Sequence, residues 1–170
     1  MSASLRDKAA SAANLLKMKH GTMCADERGE AMNRKYELTG EKKEYHNHTL
    51  HRIRAIRDFG DVKAGDLGGW VEREQNLSHD GNAWVGGDAK VYGMAKVFQN
   101  ALVFDNAKVR GLALVYGNAK VYGQAKIRDC ADVRGMAKIF DDAEVCDNAV
   151  VSGRASICGD ARVRGNNEVA

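Results

Sequence analysis

The chain has 170 residues, 44% of them hydrophobic, a formal net charge of +3 and no proline. That length allows one principal domain, and so small a charge points to no nucleic-acid partner unless the cations gather on one face. Nothing in the sequence approaches a signal peptide or a membrane span, and Cys24, Cys130, Cys146 and Cys158 stand at none of the spacings of a zinc knuckle or redox pair, so a protein of the reducing cytoplasm is expected.

Residues 1–33 read as a helical appendage and linker. Ser4 and Asp7 resemble a capping box, Leu5, Ala9, Ala12 and Leu16 fall on one helical stripe, and Gly21 ends the pattern. The stripe is narrow and rich in alanine; such a helix is marginal alone and is expected to dock on another surface. Residues 34–81 read as a β cap. Lys35 to Thr39 and Thr49 to Ile56 have strand character, the second with Ile53 and Ala55 on one side and Arg52 and Arg54 on the other. The run Gly65-Asp66-Leu67-Gly68-Gly69-Trp70-Val71 adds turn glycines and two bulky apolar residues. A cap is needed because the strands that follow would otherwise present bare edges; Trp70 and Trp84 are its expected plug and landing surface.

Residues 82–170 are organised by a six-residue unit that recurs fourteen times up to Gly165 without insertion or deletion. Alanine stands at every sixth position from Ala83 to Ala161, and Val or Ile follows two places later, from Val85 to Val163. Two residues beyond the aliphatic one comes Gly nine times, Asp four times and Gln99 once. This last is a corner position, since Gly and Asp tolerate the left-handed backbone that a β-branched residue resists. Ala and Val, two apart, share one side of a strand. A strand this short buries that side only by stacking on copies of itself. Three units per turn make a triangular coil of eighteen residues, four to five coils in all, with interior ladders Val85, Val103, Val121, Ile139, Ile157 and Val91, Val109, Ile127, Val145, Val163.

Asn118-Ala119-Lys120-Val121-Tyr122-Gly123 and its neighbours resemble the hexapeptide repeats of left-handed β-helix proteins, and more closely the bacterial and phage proteins of Asn-Ala-Lys-Val-Tyr-Gly type, often labelled acyltransferases. The resemblance covers about residues 35–165. It implies an all-β fold, a single-stranded left-handed parallel β-helix, and commonly a homotrimer. It also implies an acyl-CoA-dependent transferase in which a histidine near a subunit boundary activates the acceptor. The repeats hold no histidine and no inserted loop, so His79, at the start of the coils, is the one candidate base, and no group that would orient it is evident. His46, His48 and His51 cluster within six residues as candidate metal ligands. No Cys or carboxylate joins them at zinc spacing, and surface histidines are the plainer reading. No cofactor is expected.

Stacking at eighteen residues also sorts the outward positions. One face gathers Trp84, Leu102, Phe104, Tyr122, Phe140 and Cys158, an apolar strip of the kind that marks an interface, and is assigned to self-association. A second gathers Lys90, Tyr92, Lys108, Arg110, Lys126, Arg128, Arg162 and Arg164, relieved by Glu144 and Cys146. The third is mixed. The sequence is therefore read as a non-catalytic oligomeric binding module whose basic face meets an anionic partner: nucleic acid, a nucleotide or an acidic protein surface. A phage-encoded inhibitor or ligand trap against a host defence system, acting in the host cytoplasm, is a special case that the resemblance suggests. The alternatives are the acyltransferase and a structural spacer or fibre component.

Overall fold

The computed structural model describes residues 33–170; the helix expected between Ser4 and Gly21, and Cys24, lie outside them. From Trp84 onward each repeat contributes a two-residue strand, the aliphatic residue and the one before it, and consecutive strands fall on three different sheets in rotation. Pairing is parallel, in the register expected: Val85 to Val103, Val121, Ile139 and Ile157 on one sheet, and Val91 to Val109, Ile127, Val145 and Val163 on another. The chain is an all-β parallel solenoid with 18 residues per turn. Every Ala and every aliphatic residue of the ladders from Ala83 to Val151 is fully buried. Each such Val or Ile contributes roughly 1.5 to 3 kcal/mol by leaving water, an upper bound because the unfolded chain already hides some of it.

The corners are as the residue types require. All the corner glycines have positive φ, and so do Gln99, Asp105, Asp129, Asp141 and Asp147, at 57 to 60°. The side chains of these non-glycine corners add a bond that glycine lacks: each reaches the corner one turn further on. Asp105 accepts from the Gly123 N–H at 3.1 Å, Asp141 from Gly159 at 3.1 Å, Asp147 from Gly165 at 2.9 Å, and the Gln99 amide oxygen from Gly117 at 2.8 Å.

The regular units supply four to five turns, and irregular ones at both ends bring the total to about six. At the carboxyl end Glu168–Val169 forms a further strand on Val150–Val151, so residues 166–170 continue the coil. At the other end strand β3 (Leu67–Val71) pairs in parallel with Lys90–Val91, and Leu77 bridges Val97. Both of these are partners twenty residues apart, because two extra residues lie between Leu77 and Val85.

Strands β1 (Tyr36–Tyr45) and β2 (His48–Ala55) form an antiparallel hairpin that extends the same sheet beyond β3. It turns at His46 and Asn47, both of positive φ, 47° and 64°, as a two-residue hairpin turn demands. Its buried Tyr36, Ile53 and Ala55 join the core of the coils, and the Tyr36 hydroxyl lies 2.9 Å from the Glu74 carbonyl and 2.8 Å from that of Leu77, with its one proton to donate between them. The segment from Tyr36 to Val71 thus packs on the core of the coils. Of its glycines Gly65 is a turn residue, with φ of 96°, whereas Gly68 and Gly69 lie within β3 because a Cβ there would meet Trp84 Cζ2 at 2.6 Å and the Ala89 carbonyl at 2.6 Å.

Candidate functional site

The basic face lies on the sheet that the hairpin extends, and the hairpin divides it. Lys90 and Tyr92, in the first rung, are only 5% and 6% exposed. The Lys90 ammonium is held by Asp88 Oδ2 at 2.8 Å and lies 5.4 Å from the centre of the Tyr45 ring. Asp88 also accepts from Trp70 Nε1 at 2.8 Å and from Lys43 Nζ at 3.2 Å, the latter on the hairpin itself. Burial disfavours the Asp88 anion and pushes its pKa up, but the bonds from Lys90, Lys43 and Trp70 outweigh it and hold the pKa at about 2. Lys90 is therefore a seat for the hairpin, beneath the surface a ligand would meet, and Tyr92, though nearly as buried, keeps an edge on the groove beside it.

Beyond them the hairpin turn overhangs the ladder. Tyr45, His46, His48 and Tyr92 wall one end of a groove of about 590 Å³, Lys108, Arg110, Lys126 and Arg128 line its floor, and Glu144 stands at the other end. Glu144 accepts from Arg128 Nε at 2.5 Å and faces Arg162 Nε at 3.6 Å, while Arg128 also pairs with Asp129 at 2.6 Å. The Arg128 bond holds the Glu144 carboxyl below its usual range. Among the described residues none of Lys108, Arg110 and Lys126 has a carboxylate within ion-pairing distance, though Lys126 acts on Glu144 from the neighbouring rung. Two such charges about 5 Å apart repel by roughly 1 kcal/mol in water and about 3 kcal/mol at an effective dielectric constant of 20. The floor of the groove is therefore an arrangement that an anion relieves. Arg162 and Arg164, both exposed, lie past Glu144 and outside the groove.

The histidines come to different places. His48 directs Nδ1 to Glu72 Oε1 at 3.2 Å, and its ring lies 4.9 Å from that of Tyr92. Burial disfavours the Glu72 anion, yet the Gly93 N–H at 2.6 Å and His48 together keep its pKa lowered. His46 sits in the turn, edge-on to Tyr45 at 4.3 Å. His51 pairs across β2 with Lys42 and Val71. The three do not assemble as metal ligands: among the described residues, the set whose ligand atoms lie within 4.8 Å of one another is Asp129, Cys146 and Asp147. His79 stacks on Tyr36 at 4.3 Å, and its Nδ1 accepts the Lys35 N–H at 3.4 Å. It borders a separate cleft with Lys96 and Phe98.

On the sheet assigned to self-association, Phe104, Tyr122 and Phe140 form a continuous stack, with centroids 5.0 Å apart and planes within 3°. Trp84 is buried under Phe59, 5.4 Å away edge-on. In the row beside the stack, Lys120 and Lys138 stand in register with Leu102, and both are exposed. The strip is thus half aromatic and half cationic, which grouping by hydrophobicity alone had left out. A second stack, Phe98 on Tyr116 at 4.8 Å, lies on the third sheet.

The sequence matches no family model. It is 48% identical over 50 residues to a protein of Escherichia coli (strain K12) named "Uncharacterized acetyltransferase YdcK"; the matched stretch is 29% of this chain and 14% of that relative. No helix among the described residues is long and apolar enough to cross a membrane.

Proposed function

We propose that this hexapeptide-repeat β-helix protein is a binding module that holds an anionic ligand in the groove between the hairpin turn and the basic ladder. The observation that carries the reading is the conjunction of Lys108, Arg110 and Lys126, without carboxylate partners among the described residues, with a wall of Tyr45, His46 and His48 built over one end. A solvated face that merely discourages aggregation needs the charges but not the wall. Hydrogen-bond donors of two kinds converge there: the Arg fork suits a phosphate or carboxylate in two bonds, and the ammonium groups act as point charges. The module self-associates through the Phe104, Tyr122 and Phe140 row, as a trimer, the assembly common in folds of this kind. A ligand trap encoded by a phage is the special case in which the ligand is a host signal.

The test is calorimetric titration of the wild type and of Lys108→Glu/Arg110→Glu/Lys126→Glu with a panel of anions: pyrophosphate, ATP and a short oligonucleotide. At least one binds the wild type, and reversal of the three charges abolishes the heat. A panel that binds neither protein, or both equally, refutes the reading.

A second reading, acyl transfer, is favoured by two observations: the named relative and His48, held by Glu72 at the edge of the same groove. With Nδ1–H donated to Glu72, the Nε2 lone pair is left for a proton. His79 has the weaker claim as base, since its Nδ1 lone pair already accepts from the main chain. Release of free thiol from acetyl-CoA in the presence of acceptor amines or alcohols, lost in His48→Ala and retained in His79→Ala, would establish this reading; no thiol release above buffer would remove it.

A further inference from the structure

The unpaired charge of the groove is short as well as dense, and its length names the class of ligand. On the amino-terminal side the next rung, Lys90 and Tyr92, is roofed by the hairpin. On the other side Glu144 stands in register with Lys126 and takes up Arg128. Two rungs remain, about 5 Å apart by the spacing of strands, between a wall and a carboxylate. A single-stranded nucleic acid needs a track open at both ends and free ring faces for its bases, over about four or more nucleotides. Here Tyr45 and Tyr92 pack edge-to-face on one another at 5.8 Å, and Lys90 and Lys108 lie 5.4 and 5.9 Å from the centre of the Tyr45 ring. The ring faces are already used and the track is closed.

Resting on the anion-binding reading above, we infer that the groove takes a compact ligand bearing two or three linked phosphates, a diphosphate or triphosphate ester or the free polyphosphate, and not a polynucleotide strand. Linked phosphates place several negative charges within the reach of Lys108, Arg110 and Lys126 at once. A single phosphate engages only part of them, and a strand spaces its charges beyond the closed ends.

The experiment is a calorimetric series on the full chain with orthophosphate, pyrophosphate, tripolyphosphate, ADP and a twelve-residue oligothymidylate lacking terminal phosphates, each at several salt concentrations. Pyrophosphate is expected to bind at least tenfold more tightly than orthophosphate, and the oligonucleotide more weakly than pyrophosphate. ADP matching pyrophosphate supports recognition of the diphosphate alone, and ADP binding tighter supports a nucleoside ester. The milder Lys126→Gln, at an exposed side chain where folding is not at stake, should weaken pyrophosphate at least threefold. The inference is overturned if orthophosphate binds as well as pyrophosphate. It is also overturned if the oligonucleotide binds more tightly, with an affinity that falls with salt as about 0.7 per phosphate over three or more phosphates; either result leaves anion binding itself intact. If no anion binds, the anion-binding reading fails as well.

Discussion

A corner of this solenoid asks one residue to hold φ near +60°, and a polar residue there can also offer an acceptor to an N–H of the next turn. Asp105 does both, at φ 59° with its carboxylate on the Gly123 N–H. Asp105→Val forces a β-branched residue into the left-handed region, costing roughly 1 to 2 kcal/mol, and removes a hydrogen bond worth about 1 kcal/mol. A loss of about 2 to 3 kcal/mol is expected in denaturant unfolding, whereas Asp105→Gly, which keeps the conformation and loses only the bond, should cost about 1 kcal/mol or less. Equal losses for the two would show that the backbone conformation is not what the corner selects. The corner rule was legible in the sequence because Gly and Asp recur at a fixed period. The bond from Asp to the next turn was not, since it depends on how consecutive coils are set over one another.

The hairpin β1–β2 is the element that turns a repetitive surface into a particular site, and Asp88 fastens it by reaching Trp70, Lys90 and the hairpin's own Lys43. The pH dependence of that fastening follows from the Asp88 carboxyl being held at about 2, below the value near 3.9 of an unfolded Asp. Its contribution is complete above pH 4 and is lost as the pH falls through about 2. Amide exchange of residues 36–55 should therefore stay slow at pH 4.5 and accelerate below pH 4 ahead of the coils, and Asp88→Ala should show the faster exchange already at neutral pH. Exchange that rises equally in coil and hairpin would mean that Asp88 does not hold the element. In the sequence the hairpin's strands could be read from their alternation, and the need for a cap from the bare edges. That its turn would carry Tyr45, His46 and His48 over the basic ladder could not be read, because the sheet it joins is chosen by the two extra residues between Leu77 and Val85 and by the fit of Gly68 and Gly69 against the first coil.

At the scale of the molecule, a solenoid converts a six-residue period into long uninterrupted surfaces, and the three faces differ only in which side chains recur at eighteen residues. The stacking in those rows was legible from the sequence: Lys108 over Lys126 and Phe104 over Tyr122 over Phe140 are found as expected. What the rows do was less legible, because the stacked rings partly satisfy one another and Lys120 and Lys138 stand beside them. The trimer proposed through this face predicts a particle of about three times the 18.5 kDa chain mass in light scattering, reduced to a monomer by Tyr122→Asp, which removes the middle ring of the stack. A monomeric wild type would assign the rings to stabilising neighbouring coils, at about 0.5 to 1.5 kcal/mol per pair. For the groove, the most direct measurement is amide chemical-shift mapping of the isotopically labelled protein titrated with pyrophosphate. Saturable shifts confined to residues 45–48, 92, 108–110 and 126–128 are predicted; shifts centred instead on Lys120 and Lys138, or none at saturating ligand, would contradict the account.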